Sequence, residues 1–209
     1  MNRAFHDVFQ VPDAFDGIDM AGRTDRWILE DAASRAGVEL STITFPRLLD
    51  RYFDRLQEAL AEPAPDKRVL PGVPQILDEH SGRDDVFLAL LTGNCETGAR
   101  IKLEHFDLWK FFRCGAFGDD VHDRNELFPV AMQRAMEQGV VARPQDVLVV
   151  GDTVLDVACA KAAGARSLAV ATGPANVAVL ADSGADLVLQ DLSDRTAVYD
   201  LLRYRPEVC

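Results

Sequence analysis

Apolar residues along the chain follow two rhythms, and the change falls about a third of the way along. Up to residue 61 the spacing is helical. Ala4, Phe5, Val8 and Phe9 share one face of a segment that no capping residue precedes, so it reads as the end of a helix. Trp27, Ile28, Ala32 and Ala36 form the apolar face of a helix starting near Thr24 and stopped by Gly37. Leu48, Leu49, Tyr52, Phe53, Leu56 and Leu60 keep the same spacing after Pro46, a residue suited to a first helical turn. No strand pattern precedes residue 80. The pattern predicts a small all-helical unit over residues 1–66, closed by the linker EPAPDKR (62–68), and a second unit over 67–209.

In the second unit the rhythm shortens. A brief helix through Ile76 and Leu77 leads to VFLALL (86–91), and a second unbroken apolar run, VLVV, occupies 147–150. Runs of this length suit strands buried on both faces of a parallel sheet. Helices are predicted over 96–105, 127–138 and 194–204, with others stopping at Gly164 and near Gly184. Shorter strands are predicted at 114–117, 167–170 and 187–189. Such alternation of strand and helix predicts an α/β fold with a doubly wound parallel sheet.

Ligands of open α/β sheets bind beyond the carboxyl ends of the strands, so chemistry is sought there. Asp152 follows Val147–Val150 after Gly151, and Asp156 comes four residues later, at the start of an Ala-rich helix. Two carboxylates on one turn, with no basic residue between Gly151 and Cys159, call for a cation, and oxygen ligands in a loop suit Mg²⁺. A helix-start role through capping or the macrodipole is the plain alternative. Thr92-Gly93-Asn94 ends the 86–91 strand and offers a hydroxyl, an N–H and an amide to a phosphate oxygen, although TGN is also an ordinary turn. In the loop GDDVHDRNEL, Arg124 is one cation among Asp119, Asp120, Asp123 and Glu126. Lys102 is the competing cation, and at mid-helix it is expected to lay its stem along the helix surface.

Net charge is −12 and no basic cluster stands out, which argues against nucleic acid and anionic membranes as partners. A phosphorylated substrate is compatible with this, because a local pocket can be positive on an acidic protein. The four cysteines form no CxxC pair and the histidines are scattered. Free thiols in a reducing cytoplasm are therefore expected, and no zinc site.

TGN after a strand, a cation in the next strand's loop and then VLVVGDTVLD together resemble the haloacid dehalogenase-like (HAD) hydrolase superfamily, most closely its phosphoglycolate phosphatase-like members. The resemblance implies that residues 1–66 form the family's helical cap and that 67–209 form a Rossmann-like core. It implies phosphoryl binding at Thr92 with neighbouring N–H groups from Gly93 and Asn94. Arg124 would take the cationic role, with Lys102 the less favoured choice, and Asp152 and Asp156 would take the Mg²⁺ role. Arg23 of the cap's Gly22-Arg23-Thr24 would select the substrate, a small phosphorylated metabolite. The implied reaction is hydrolysis through an aspartyl-phosphate.

The family's nucleophile lies in a DxDGT motif after an N-terminal strand, and no such strand is found. Phe15-Asp16-Gly17-Ile18-Asp19 follows VPDA rather than an apolar run and reads as part of the helical unit. The expectation is a chain that starts downstream of the family's central strand, with a rearranged sheet or pairing borrowed from another chain, and with little or no activity. A non-catalytic phosphate- or partner-binding protein is the alternative, and a dehalogenase or phosphomutase of the same superfamily stays open.

Overall fold

A computed structural model describes residues 1–64 and 67–203. Residues 65 and 66 of the linker, Tyr204 and Cys209 lie outside the described residues. The helical third consists of α1 (Asn2–Phe9), α2 (Asp25–Ala36) and α3 (Thr44–Ala61). Thr24 starts α2 by accepting a hydrogen bond from the Trp27 N–H at 3.1 Å, and Gly37 ends it in the left-handed region. One continuous cluster fills the space between these helices, centred on Phe5, Ile28, Leu29, Ala32, Leu48 and Tyr52. The Phe5 ring packs against Phe9 and Phe15 at centroid distances of 4.8 and 5.6 Å. Phe15 and Ile18 are buried in this cluster whereas Asp16 and Asp19 face solvent, so that stretch serves the packing of the helical unit.

The remainder alternates as α4 (Val73–Ser81), β1 (Ala89–Leu91), α5 (Glu96–His105), β2 (Cys114–Ala116), α6 (Leu127–Glu137), β3 (Leu148–Gly151), α7 (Val154–Ala163), β4 (Arg166–Val170), α8 (Val177–Asp182), β5 (Leu187–Leu189) and α9 (Arg195–Arg203). Segment 108–112 contains a single 3₁₀ turn, Trp109–Phe111. All strand pairs are parallel, as the alternation predicts.

The sheet is in two pieces. β1 pairs with β2, while β3, β4 and β5 pair in that order, and no described residue hydrogen-bonds β1 to β3. α6 bridges the break: Leu91 of β1 packs against the cluster that holds Phe128 of α6 and Val149 of β3.

This arrangement corrects two expectations. Strand 86–91 shortens to Ala89–Leu91, with Ala89 exposed, and Val150 is 46% exposed although it sits in an unbroken apolar run. Each of β1 and β3 has a partner on one edge only among the described residues. β4 is flanked on both edges, and it is the strand that is buried from Ser167 to Val170. Among the described residues no helix is long and apolar enough to cross a membrane. Cys95 and Cys159 are buried free thiols, and Cys114 is a half-buried one.

Candidate functional site

Three loops at the carboxyl ends of β1, β2 and β3 make the site, and a fourth segment, Gly22–Asp25, threads between them. Thr92 extends the β1–β2 pairing by donating its N–H to the Ala116 carbonyl at 3.0 Å. Its Oγ1 accepts from the Asn94 N–H at 3.2 Å, which leaves the hydroxyl proton free to donate. The chain then turns tightly. A Cβ on Gly93 would lie 2.2 Å from the Arg23 carbonyl oxygen, and one on Gly118 would lie 2.0 Å from the Gly93 carbonyl oxygen, so both positions exclude side chains.

Arg124 stands at the start of a 3₁₀ turn, Arg124–Glu126, that Asp123 caps by accepting from the Asn125 N–H at 2.9 Å. Its guanidinium reaches Gly93: a Cβ there would be 3.1 Å from Nη1. Nη1 donates to the Gly22 carbonyl at 2.9 Å, and Nη2 donates to Asp156 Oδ1 at 2.5 Å. The pair is buried, with side chains 13% and 7% exposed. Arg124 Nε is buried and has no hydrogen-bond partner among the described residues.

Asp156 serves two masters. Its Oδ2 closes a capping box at the start of α7, accepting from the Thr153 N–H at 3.0 Å and the Thr153 hydroxyl at 2.7 Å. Its Oδ1 holds Arg124. The cation demanded by the acidic pair is therefore first of all the guanidinium, supplied from a distant loop, and Asp156 has no oxygen left uncommitted. Asp152 lies against the loop after β4, where a Cβ on Gly173 would be 2.4 Å from its Oδ2. Burial, and then the neighbouring Asp156 charge, push the Asp152 carboxyl above its ordinary range, against the pull of Arg124.

No group of three or more His, Cys, Asp or Glu side chains among the described residues is placed to hold a metal ion. A Mg²⁺ needs only one or two protein carboxylates if water and a phosphate complete its shell. The half-buried Asp152 fits that requirement by itself.

The other predicted residues separate. Asn94 turns its amide away from ligand duty: Nδ2 donates to Asp25 Oδ1 at 3.2 Å, and Oδ1 accepts from Lys102 Nζ at 2.9 Å. Lys102 thus reaches back from mid-helix to the TGN turn. Arg23 stacks its guanidinium on Trp27, 4.5 Å from the ring centroid. Both line a cleft of about 300 Å³ with Thr24, His122, Arg124 and Leu155. The sequence reading missed Asp25, whose carboxylate is 2% exposed, and His122, which pairs with Glu30 at 3.0 Å. An aspartate in the first turn of a helix looks like a macrodipole partner, and nothing in its local sequence betrays the distant turn it serves.

Known proteins resemble this chain in sequence and in fold. Residues 126–195 match the HAD-hydrolase-like family model, a span that holds Asp152 and Asp156. Phosphoglycolate phosphatase 1 of Pseudomonas aeruginosa is 32% identical over 137 residues, covering 66% of this chain and 49% of that protein. Phosphoglycolate phosphatase of Pseudomonas syringae pv. tomato is 31% identical over 145 residues, 69% and 52% of the two chains. The chain thus spans about half the length of the curated relatives it matches. A crystal structure of a predicted phosphoglycolate phosphatase from Haemophilus somnus superposes with a TM-score of 0.67 at 19% identity, over 95% of this chain and 88% of that one. In sequence and fold the chain is thus similar to the haloacid dehalogenase-like hydrolases, and among them to phosphoglycolate phosphatases.

Proposed function

We propose that the chain binds the phosphoryl group of a small phosphorylated metabolite at the carboxyl ends of β1 and β3, as a Mg²⁺-dependent phosphomonoesterase of the phosphoglycolate phosphatase type. The observation that carries this reading is contiguity. Gly93, Arg124, Asp156 and Asp152 come from three separate loops and converge, with Arg124 bonded to Asp156, its Nη1 3.1 Å from where a Gly93 Cβ would lie, and Asp152 within reach of the Asp156 charge. The Thr92 hydroxyl and the Gly93 N–H are donors for phosphoryl oxygens. Arg124 supplies fixed positive charge, and its unpartnered Nε is a donor that an anion would satisfy. Asp152 would hold Mg²⁺, which when bound neutralises charge on the phosphoryl oxygens. Residues 1–66 act as the cap, with Arg23 at the rim of the cleft to select the rest of the substrate. A cytoplasmic setting belongs to the same proposal, supported by the free thiols Cys95, Cys114 and Cys159.

An aspartyl-phosphate route needs a carboxylate free to attack phosphorus. The two buried carboxylates beside the site, Asp25 and Asp156, are both tied up in hydrogen bonds. That observation favours a second reading, a phosphate-binding protein without turnover. Hydrolysis of p-nitrophenyl phosphate with Mg²⁺ separates the two. The assay compares this chain, its Asp152→Asn variant, and the chain extended upstream with its native coding sequence. Turnover by the extended form that Asp152→Asn abolishes supports the phosphatase. Phosphate binding without turnover in every form supports the binding protein, and neither binding nor turnover sinks both.

A further inference from the structure

Asp25 is a buried carboxylate in the helical third, and both its carboxylate oxygens and its N–H are bonded to residues 93–95, in and just after the TGN turn. Its Oδ1 accepts from Asn94 Nδ2 at 3.2 Å and its Oδ2 accepts from the Cys95 N–H at 2.9 Å. Its own N–H donates to the Gly93 carbonyl at 2.6 Å. Three consecutive residues, Gly93, Asn94 and Cys95, are thus pinned by one residue far away in sequence. Its neighbours extend the hold: the Thr24 hydroxyl donates to the His122 carbonyl at 3.2 Å, and the Gly22 carbonyl accepts from Arg124.

A carboxylate at 2% exposure is costly to bury unless its oxygens are satisfied. Among the described residues no arginine or lysine pairs with it directly. Lys102 acts through Asn94, whose amide is clamped at both ends, donating to Asp25 and accepting from Lys102. An amide held this way cannot flip, because a flip would set Nδ2 against the ammonium and Oδ1 against the carboxylate. With Asn94 fixed, its N–H stays on Thr92 Oγ1, and that bond directs the Thr92 hydroxyl proton outward.

On the reading that Thr92 and Gly93 bind phosphate, we propose that Asp25 is a positioning residue of that site. It acts through Asn94 to hold the Thr92 hydroxyl and the Gly93 N–H in their ligand-facing geometry. The helical third thereby reaches into the phosphate site without contacting phosphate. Its contribution is to ready the turn before the ligand arrives, which lowers the ordering cost of binding.

The test uses the full chain and inorganic phosphate, titrated by calorimetry, with ¹⁵N NMR of the Asn94 side-chain amide read in phosphate-free buffer. Asp25→Asn keeps the shape of the side chain but sets a second NH₂ group against one of the two donors. It is expected to move the Asn94 amide resonances and to weaken phosphate about tenfold, the scale of one mispaired buried hydrogen bond. In an Asn94→Ala background the same substitution should change affinity less than about twofold, because the intermediary is gone.

Lys102→Gln, which disturbs the other end of the clamp from a less buried position, should also shift the Asn94 amide and should also lose its effect in the Asn94→Ala background. Equal loss of affinity in both backgrounds would mark Asp25 as merely structural and overturn the proposal. An unmoved Asn94 amide overturns it while leaving the phosphate reading intact. If the unaltered chain shows no phosphate binding that Thr92→Val abolishes, the phosphate reading falls and the positioning role falls with it.

Discussion

The helical third and the α/β remainder solve the problem of burial differently. In the helical third ten buried side chains form a single cluster, whereas the α/β part holds separate buried clusters of four, three and three. Helices satisfy their backbone groups internally, so a few of them can close a core wherever their apolar stripes meet. A strand depends on its neighbours. β4, paired on both edges, is buried, while β1 and β3, paired on one, are half open. What the α/β part lacks in continuous core it gains in loops that reach across to one another, and the site is built from those loops.

The contrast predicts unequal responses to truncation. Phe5→Ala removes a fully buried ring from the continuous cluster and is expected to cost about 3–5 kcal/mol in urea denaturation. Val150→Ala trims a side chain already 46% exposed and should cost well under about 1 kcal/mol, despite its place in the most apolar run of the chain. Similar losses at the two positions would break the comparison.

Arg124 tests the site in the same way. Arg124→Met strands the Asp156 carboxylate in a nearly closed environment and should cost about 3–5 kcal/mol, as removal of one partner of a buried pair does. Replacing both partners, Arg124→Met with Asp156→Leu, should recover much of that stability in the same denaturation assay while abolishing phosphate binding. A double variant no more stable than the single one would show that the capping box at α7, not the ion pair, is what Asp156 chiefly maintains.

Gly93→Ala sharpens the comparison at the point where the two parts touch. The added methyl would meet the Arg23 carbonyl at 2.2 Å, so the turn and the Gly22–Asp25 segment must separate. The expected cost is about 1–3 kcal/mol, the range for overpacking, and phosphate titration should show weakened binding.

Much of this was legible from the residues. Thr24 and Gly37 bracket α2, Gly164 ends α7, and the alternation of runs beyond residue 80 signals a parallel α/β sheet. Asp152, Arg124 and Thr92 stand out as candidates because chemistry collects at strand ends, a rule that needs no coordinates. Burial within the sheet was not legible. VFLALL and VLVV look like interior strands, yet their exposure depends on which edges are paired, and that is a property of other segments. Asp25 was invisible for a related reason. A helix-start aspartate satisfies a local rule wherever it points, and here it points at a turn 70 residues away from it in sequence. Asp156 follows the capping reading with one oxygen, while its other oxygen holds Arg124, a partner its local sequence does not announce.

The smallest effect is expected from acid titration, and it bears on the junction. Burial raises the Asp25 carboxyl above its ordinary value of 3.8, although Cys95, Lys102 and Asn94 pull it down. Between that ordinary value and the raised one, the folded chain binds more protons than the unfolded chain at this position. Unfolding free energy therefore falls as pH rises through the window, and the slope from one such group stays below about 1.4 kcal/mol per pH unit. Asp25→Asn cannot ionise and should flatten that part of the decline, measured as urea midpoints from just below pH 4 upward. Asp152 is shifted in the same direction, by burial and by Asp156, so a residual decline that Asp152→Asn removes should survive in Asp25→Asn. If Asp25→Asn leaves the decline untouched, the protonated form gains nothing from burial there. The hydrogen bonds from Asn94 and Cys95 would then hold Asp25 as a carboxylate on both sides of the window.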